Sequence, residues 1–247
     1  MYLFVVIVMT LLLPLILVAG GMKRGMLPYA VILQSILFMS FSLVVLFGIS
    51  WSSGEPLSES ILKELEIPVK TMVQNPEFLS ALGLEGMGIA EAEEIIMKAY
   101  GTLINLLPST VLCWAVVFSY FDYYAISMYK IKRKKDVLPL PEFSTFSLPR
   151  KAIYGSLIIY GLSWLTVSIG MVGEEILLLN VQAMIVFVFA IQGLAVAVYT
   201  TQHKKFPKLV KMIMYLVLFG SSIGRIFLAL FGFFDLLVGM RQKLEKQ

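Results

Sequence analysis

Among the polar side chains inside long apolar runs of this 247-residue chain are Asn180, Gln192, Arg225 and Asp235. Polar groups in such surroundings turn toward protein or toward a cavity, where they can hold a solute by hydrogen bonds or charge. These four are the candidate substrate-binding residues. Asn180 and Gln192 are twelve residues apart, about 120° around one helix, so they cannot share a narrow stripe. A structural role competes with the functional one. Asn and Gln also hydrogen-bond neighbouring helices, and Gly193 with Ala197 makes a small-residue face for close packing. Arg225 can snorkel to headgroups, and ten residues of straight helix would hold it about 15 Å from Asp235. Gly220 and Gly224 allow close helix approach or an unwound, substrate-coordinating segment.

A second set lies in the stretch Lys130 to Lys151, KIKRKKDVLPLPEFSTFSLPRK. Pro139, Pro141 and Pro149 deny it a continuous helix, since each lacks an N–H and pushes its predecessor out of the helical region. Leu140, Phe143, Phe146 and Arg150 are then presented on a chain that cannot hide them in its own regular structure. They are the candidate residues for docking a cytoplasmic protein partner. Tyr120, Phe121, Tyr123, Tyr124 and Tyr129 stand beside them, by default as interfacial anchors.

Enzyme chemistry has no footing here. HExxH, GxSxG and GxxxxGK[ST] motifs are absent, and Asp122 and Asp235 do not stand in a paired-aspartate protease motif. His203, the single histidine, lies among lysines and reads as a surface residue, and Cys113, the single cysteine, lies in an apolar run. No catalytic residue, metal site or cofactor is expected.

The elements that must position these residues are membrane helices. The chain is 59% hydrophobic and 15% charged, with a mean hydropathy of +0.87, far from the makeup of a soluble domain. Its net charge of +4 sits in loops between apolar runs, which points to topology and anionic lipid rather than nucleic acid. The middle loop holds seven of twenty Lys and Arg against Asp136 and Glu142, so it belongs inside. Residues 52–101 carry nine glutamates against Lys63, Lys70 and Lys98, so they belong outside, as an acidic helical insertion. Exposed glutamates at helix starts, among them Glu91, Glu93 and Glu94, are solvated and matched to the dipole rather than metal-binding.

The expected fold is all-α, a single polytopic helix bundle over residues 1–247 with six spans. Residues 3–19 form a retained first helix kinked at Pro14, because its cations, Lys23 and Arg24, follow the apolar core rather than precede it. Spans follow at Tyr29–Trp51, Leu103–Met128, Ala152–Val172 and Ile176–Tyr199. In the insertion, Leu65, Val69, Met72 and Val73 mark an amphipathic helix. Asn75, Pro76 and Glu77 cap a short one that stops at Gly83. A helix from Ile89 runs straight into the third span. The last run, Leu209–Val238, reads as a broken segment interrupted near Ser221 to Gly224. A break there brings Arg241, Lys243 and Lys246 back to the inner side, as the charge rule demands.

Four fragments carry a family resemblance: LLPS (106–109), LPLPEFSTFSLPRK, Asn180 with QGLAV (192–196), and GFFDLLVGMR (232–241). In this order, from about Leu57 onward, the chain resembles the YybS-like family of bacterial multi-pass membrane proteins, catalogued as a domain of unknown function. Leu237 and Gly239 stand where that resemblance implies a tryptophan and a second aspartate. It implies a bacterial plasma-membrane protein, grouped with the membrane substrate-binding subunits of energy-coupling-factor vitamin transporters. Without an ATP-binding motif, transport would need a separate energising partner. A non-transporting scaffold that recruits a partner through its basic loop is the alternative.

Overall fold

The computed structural model describes residues 8, 12–52, 54, 57–133, 137–170, 174–202 and 206–241. Expectations placed on residues 3–7 and 9–11, on Lys134 to Asp136, on residues 171–172, on His203 to Lys205 and on Lys243 and Lys246 lie outside the described residues. The side chains of Trp51, Glu174 and Glu175 do so as well. The fold is all-α, with no strand among the described residues. Its elements are α1 (Leu13–Lys23), α2 (Pro28–Ser52), α3 (Leu57–Met72), α4 (Pro76–Ala81), α5 (Ile89–Asn105) and α6 (Leu107–Lys132). After a single 3-10 turn (Phe143–Thr145) come α7 (Lys151–Ser168), α8 (Glu174–Gln202), α9 (Lys208–Gly220) and α10 (Ser222–Val238). The chain falls into two compact units, Met1–Gly21 with Tyr29–Tyr120, and Met22–Pro28 with Phe121–Gln247.

In the first unit the acidic insertion folds on a small apolar core of its own. Val69 and Val73 of α3 pack against Ala92 and Ile96 of α5, with Phe78 and Leu79 of α4 alongside. Met72, expected on the same stripe, is exposed instead. The short helix is capped as the sequence predicts. Asn75 accepts a hydrogen bond from the Glu77 amide at 3.0 Å, Pro76 opens the helix, and Gly83 ends the turn at φ 70°, a left-handed value that costs glycine little. The helix from Ile89 does not run unbroken into the next span. It ends at Asn105 and restarts at Leu107, because Pro108 has no N–H to offer Ile104 one turn back. Further along, the buried Ser119 hydroxyl donates to that of Ser35 at 3.0 Å, tying α6 to α2.

Fewer segments than six among the described residues meet the length and composition of a membrane crossing. Among the described residues, Leu107–Lys132 and Ile176–Gln202 are long and apolar enough, and the pair α9 and α10 makes a third if taken as one span. The helix expected over Ala152–Val172 stops at Ser168, where Gly170 adopts φ 71°. Pro14 is the second residue of α1, and Leu12 just before the helix is in π-helical conformation; the preceding turn, on which a kink at Pro14 would show, lies largely outside the described residues.

In the second unit α8 is the central element. It packs along α10 over a glycine crossing that admits no side chain. A Cβ on Gly193 would lie 1.8 Å from the Leu228 carbonyl oxygen, and one on Gly232 would lie 2.2 Å from that of Phe189. Close backbone approach through small residues is the main way helices pack where hydrocarbon offers no hydrophobic drive. Phe189 then meets Leu236 and, from α7, Ile153, with Leu148 of the loop packed against all three.

The last apolar run is broken, as its SSIGR interruption predicts. α9 and α10 meet at 96°. Ser221 satisfies the exposed ends: its N–H donates to the Val217 carbonyl, and its hydroxyl accepts from the Gly224 amide at 3.1 Å. Unsatisfied backbone at such a break would be costly in a membrane. Gly224 is required by the bend itself, since a Cβ there would lie 2.2 Å from the Leu218 carbonyl oxygen, whereas one on Gly220 would meet nothing within 4 Å.

Candidate functional site

Of the four solute-binding candidates, the structure brings two together. Gln192 and Asp235 are both buried, and the Gln192 Nε2 donates to Asp235 Oδ2 at 2.8 Å. The other face of the same amide accepts from the Leu148 main-chain N–H at 2.9 Å. Gln192 thus spans from the loop to the last helix, and no polar atom of its side chain is left unbonded.

Asp235 stands in the final turn of α10, where the helix dipole disfavours an anion. Arg241 compensates. Its Nε and one terminal nitrogen donate to Asp235 Oδ2 at 3.1 and 2.9 Å, and its main-chain N–H donates to Oδ1 at 3.2 Å. The reversal that allows this is local. Gly239 ends the helix in the left-handed region, and its amide donates to the Asp235 carbonyl, the αL cap for which glycine is preferred. The second terminal nitrogen of Arg241 then reaches the loop, donating to the carbonyls of Ser144 at 3.0 Å and Phe146 at 2.7 Å.

The basic loop is therefore clamped rather than free. Its front end is held too: Tyr123, buried on α6, donates to the Leu138 carbonyl at 2.8 Å. The default reading of Tyr123 as an interfacial anchor is corrected by this bond. Phe121, Tyr124 and Tyr129 are exposed and fit that reading, and Arg133 lies over the Tyr129 ring at 4.6 Å.

Asn180 and Arg225 stand apart from the cluster. Asn180 donates back to the Ile176 carbonyl of its own helix at 2.8 Å, about 18 Å along α8 from Gln192. Arg225 is exposed in the first turn of α10 and donates to Ser222 Oγ at 3.4 Å. Among the docking candidates, Leu140, Phe143 and Phe146 are half-buried and Arg150 is exposed. The two phenylalanine rings stack with centroids 6.2 Å apart.

Sequence reasoning missed Arg241 and Tyr123 as site residues. The signal for Arg241 was present: an aspartate and an arginine six residues apart, with a glycine between them where the helix must end.

Beside the clamp lies a cleft of about 370 Å³, lined by Ser147, Arg150, Tyr199, Asp235 and Arg241 among others. Tyr199 is near the end of α8, and Lys211 of α9 donates to the Gln202 carbonyl one turn beyond it. Both ends of the α9 and α10 pair thus lie on the loop side of this unit. The pair is bent by 96° between these ends, and Arg241 just beyond it hydrogen-bonds the loop.

A family model described as "Predicted membrane protein (DUF2232)" matches residues 1–236. The chain belongs to this family. The match takes in Gln192 and Asp235 and ends five residues short of Arg241. No curated protein matches the chain, and no solved structure does. For this DUF2232 chain the site therefore rests on its own geometry: three quoted fragments, FSTFSL, QG and GFFDLLVGMR, meet at one polar network. The network ties the loop backbone to α8 and to the end of α10.

Proposed function

We propose that this chain is a non-enzymatic, multi-pass protein of the bacterial plasma membrane. Its basic Pro-rich loop faces the cytoplasm and serves as a preformed docking platform for a separate protein partner. The observation that supports this is the clamp. Gln192 and Asp235, two of the four candidate solute-binding residues, hydrogen-bond each other instead, and with Arg241 they hold the loop backbone. Holding residues 138–148 in one conformation removes the entropy that a flexible loop would lose on binding. A photo-crosslinker at Leu138, which is exposed, should capture one defined protein in native membranes. Arg241→Gln should reduce that capture severalfold while helical content is retained. Equal capture with the loop unpinned would defeat the reading.

A second reading has one observation in its favour, the cleft beside the clamp. In it the chain is a small-solute-binding subunit worked by a separate energising partner, in keeping with its resemblance to YybS-like proteins and their grouping with energy-coupling-factor transporters. Protein purified from native membranes would then retain a specific small molecule. Mass spectrometry of denatured extracts that detects only lipid would count against it.

A further inference from the structure

We infer that the cleft of about 370 Å³ beside the clamp is a binding site for a phosphate-type anion, carried on a lipid headgroup or free, with Arg150 as its charge. The volume lies in the range of small-ligand sites, roughly 300–1,000 Å³. The charged groups lining it are Arg150, Arg241 and Asp235. Asp235 and Arg241 do not set its sign, because they neutralise each other at 2.9 Å and Gln192 adds a further donor to the carboxylate. What is left is the guanidinium of Arg150. That residue is exposed and its side chain makes no capping hydrogen bond at the start of α7. Among the described residues it enters no ion pair.

The rest of the lining suits the same ligand. Ser147 donates to the Leu148 carbonyl at only 3.4 Å, the outer limit of a hydrogen bond, so its hydroxyl can turn to an incoming oxygen. Glu142, the nearest uncompensated carboxylate in sequence, is occupied with the Ser144 hydroxyl at 3.2 Å and does not line the cleft. A guanidinium fork beside a hydroxyl matches tetrahedral phosphate oxygens better than it matches a neutral solute. At a membrane surface, basic pockets between helices collect phosphate headgroups.

The test uses the full chain purified in nonionic detergent, with no partner present, so its outcome is independent of the docking proposal. Native mass spectrometry is run with added short-chain phosphatidylglycerol and, separately, with inorganic phosphate. At least one probe should bind, and Arg150→Gln should weaken that binding about tenfold, the loss expected for one charge-assisted contact. Arg150→Lys should keep part of it, and Ser147→Ala should weaken it less than Arg150→Gln does. Binding of inorganic phosphate identifies a free-anion site, and binding of phosphatidylglycerol alone identifies a headgroup site. Binding of neither probe, or equal binding by wild type and Arg150→Gln, overturns the inference.

Discussion

Asp235 and Arg241 are joined by three hydrogen bonds across six residues of sequence, two from the guanidinium and one from the main-chain N–H of Arg241. The pair is nearly buried, with side chains 5% and 11% exposed. Removing one partner leaves an uncompensated charge, which costs about 3–5 kcal/mol in buried pairs. Arg241→Gln and Asp235→Asn should therefore each lower the denaturation midpoint of the purified protein markedly. Arg241→Lys should rescue little, because an ammonium cannot serve the carboxylate and two loop carbonyls at once. A lysine variant as stable as wild type would show that charge alone, and not the fork, holds the loop.

The glycine crossing yields a paired prediction. Gly193→Ala places a methyl group 1.8 Å from a carbonyl oxygen, so α8 and α10 must separate; overpacking of this kind costs about 1–3 kcal/mol or more. Gly220→Ala meets nothing within 4 Å and should be neutral. Thermal unfolding in detergent separates the two, and equal midpoints would contradict the close approach.

Tyr123→Phe removes the hydroxyl that holds the front of the loop. A single hydrogen bond of this kind contributes about 0.5–1.5 kcal/mol, so global stability should fall slightly. Loop opening should rise more: hydrogen exchange in residues 137–142 should quicken while α8 is unaffected. Unchanged exchange there would mean that the loop is held only from the Arg241 side.

Sidedness can be read with single cysteines placed in a Cys113→Ala background. Ser147→Cys and Met240→Cys should both be modified by a membrane-impermeant maleimide from the cytoplasmic side. Ser80→Cys, in the acidic insertion, should be modified from outside. If positions 147 and 240 label from opposite sides, α9 and α10 cross the membrane and the returning pair is wrong.

Local features were legible in the amino-acid order because their causes are local. Asn75, Pro76 and Gly83 set the ends of α4 through capping and backbone preference, and SSIGR placed the break after Gly220. The clustering of cations in residues 130–151 and glutamates in residues 52–101 likewise followed from composition and made a membrane bundle the only economical reading. The count of crossings was less legible, since hydropathy alone cannot tell a bent returning pair from a span.

Which polar residues distant in sequence meet was a matter for tertiary structure alone. Gln192 and Asp235 are 43 residues apart, and the Ser144 carbonyl lies 97 residues from Arg241. Nothing in periodicity relates such positions. They come together because Gly193 and Gly232 let two backbones touch and because Gly239 turns the chain back. That packing spends on the protein's own loop the side chains that, one by one, read as ligands for something else.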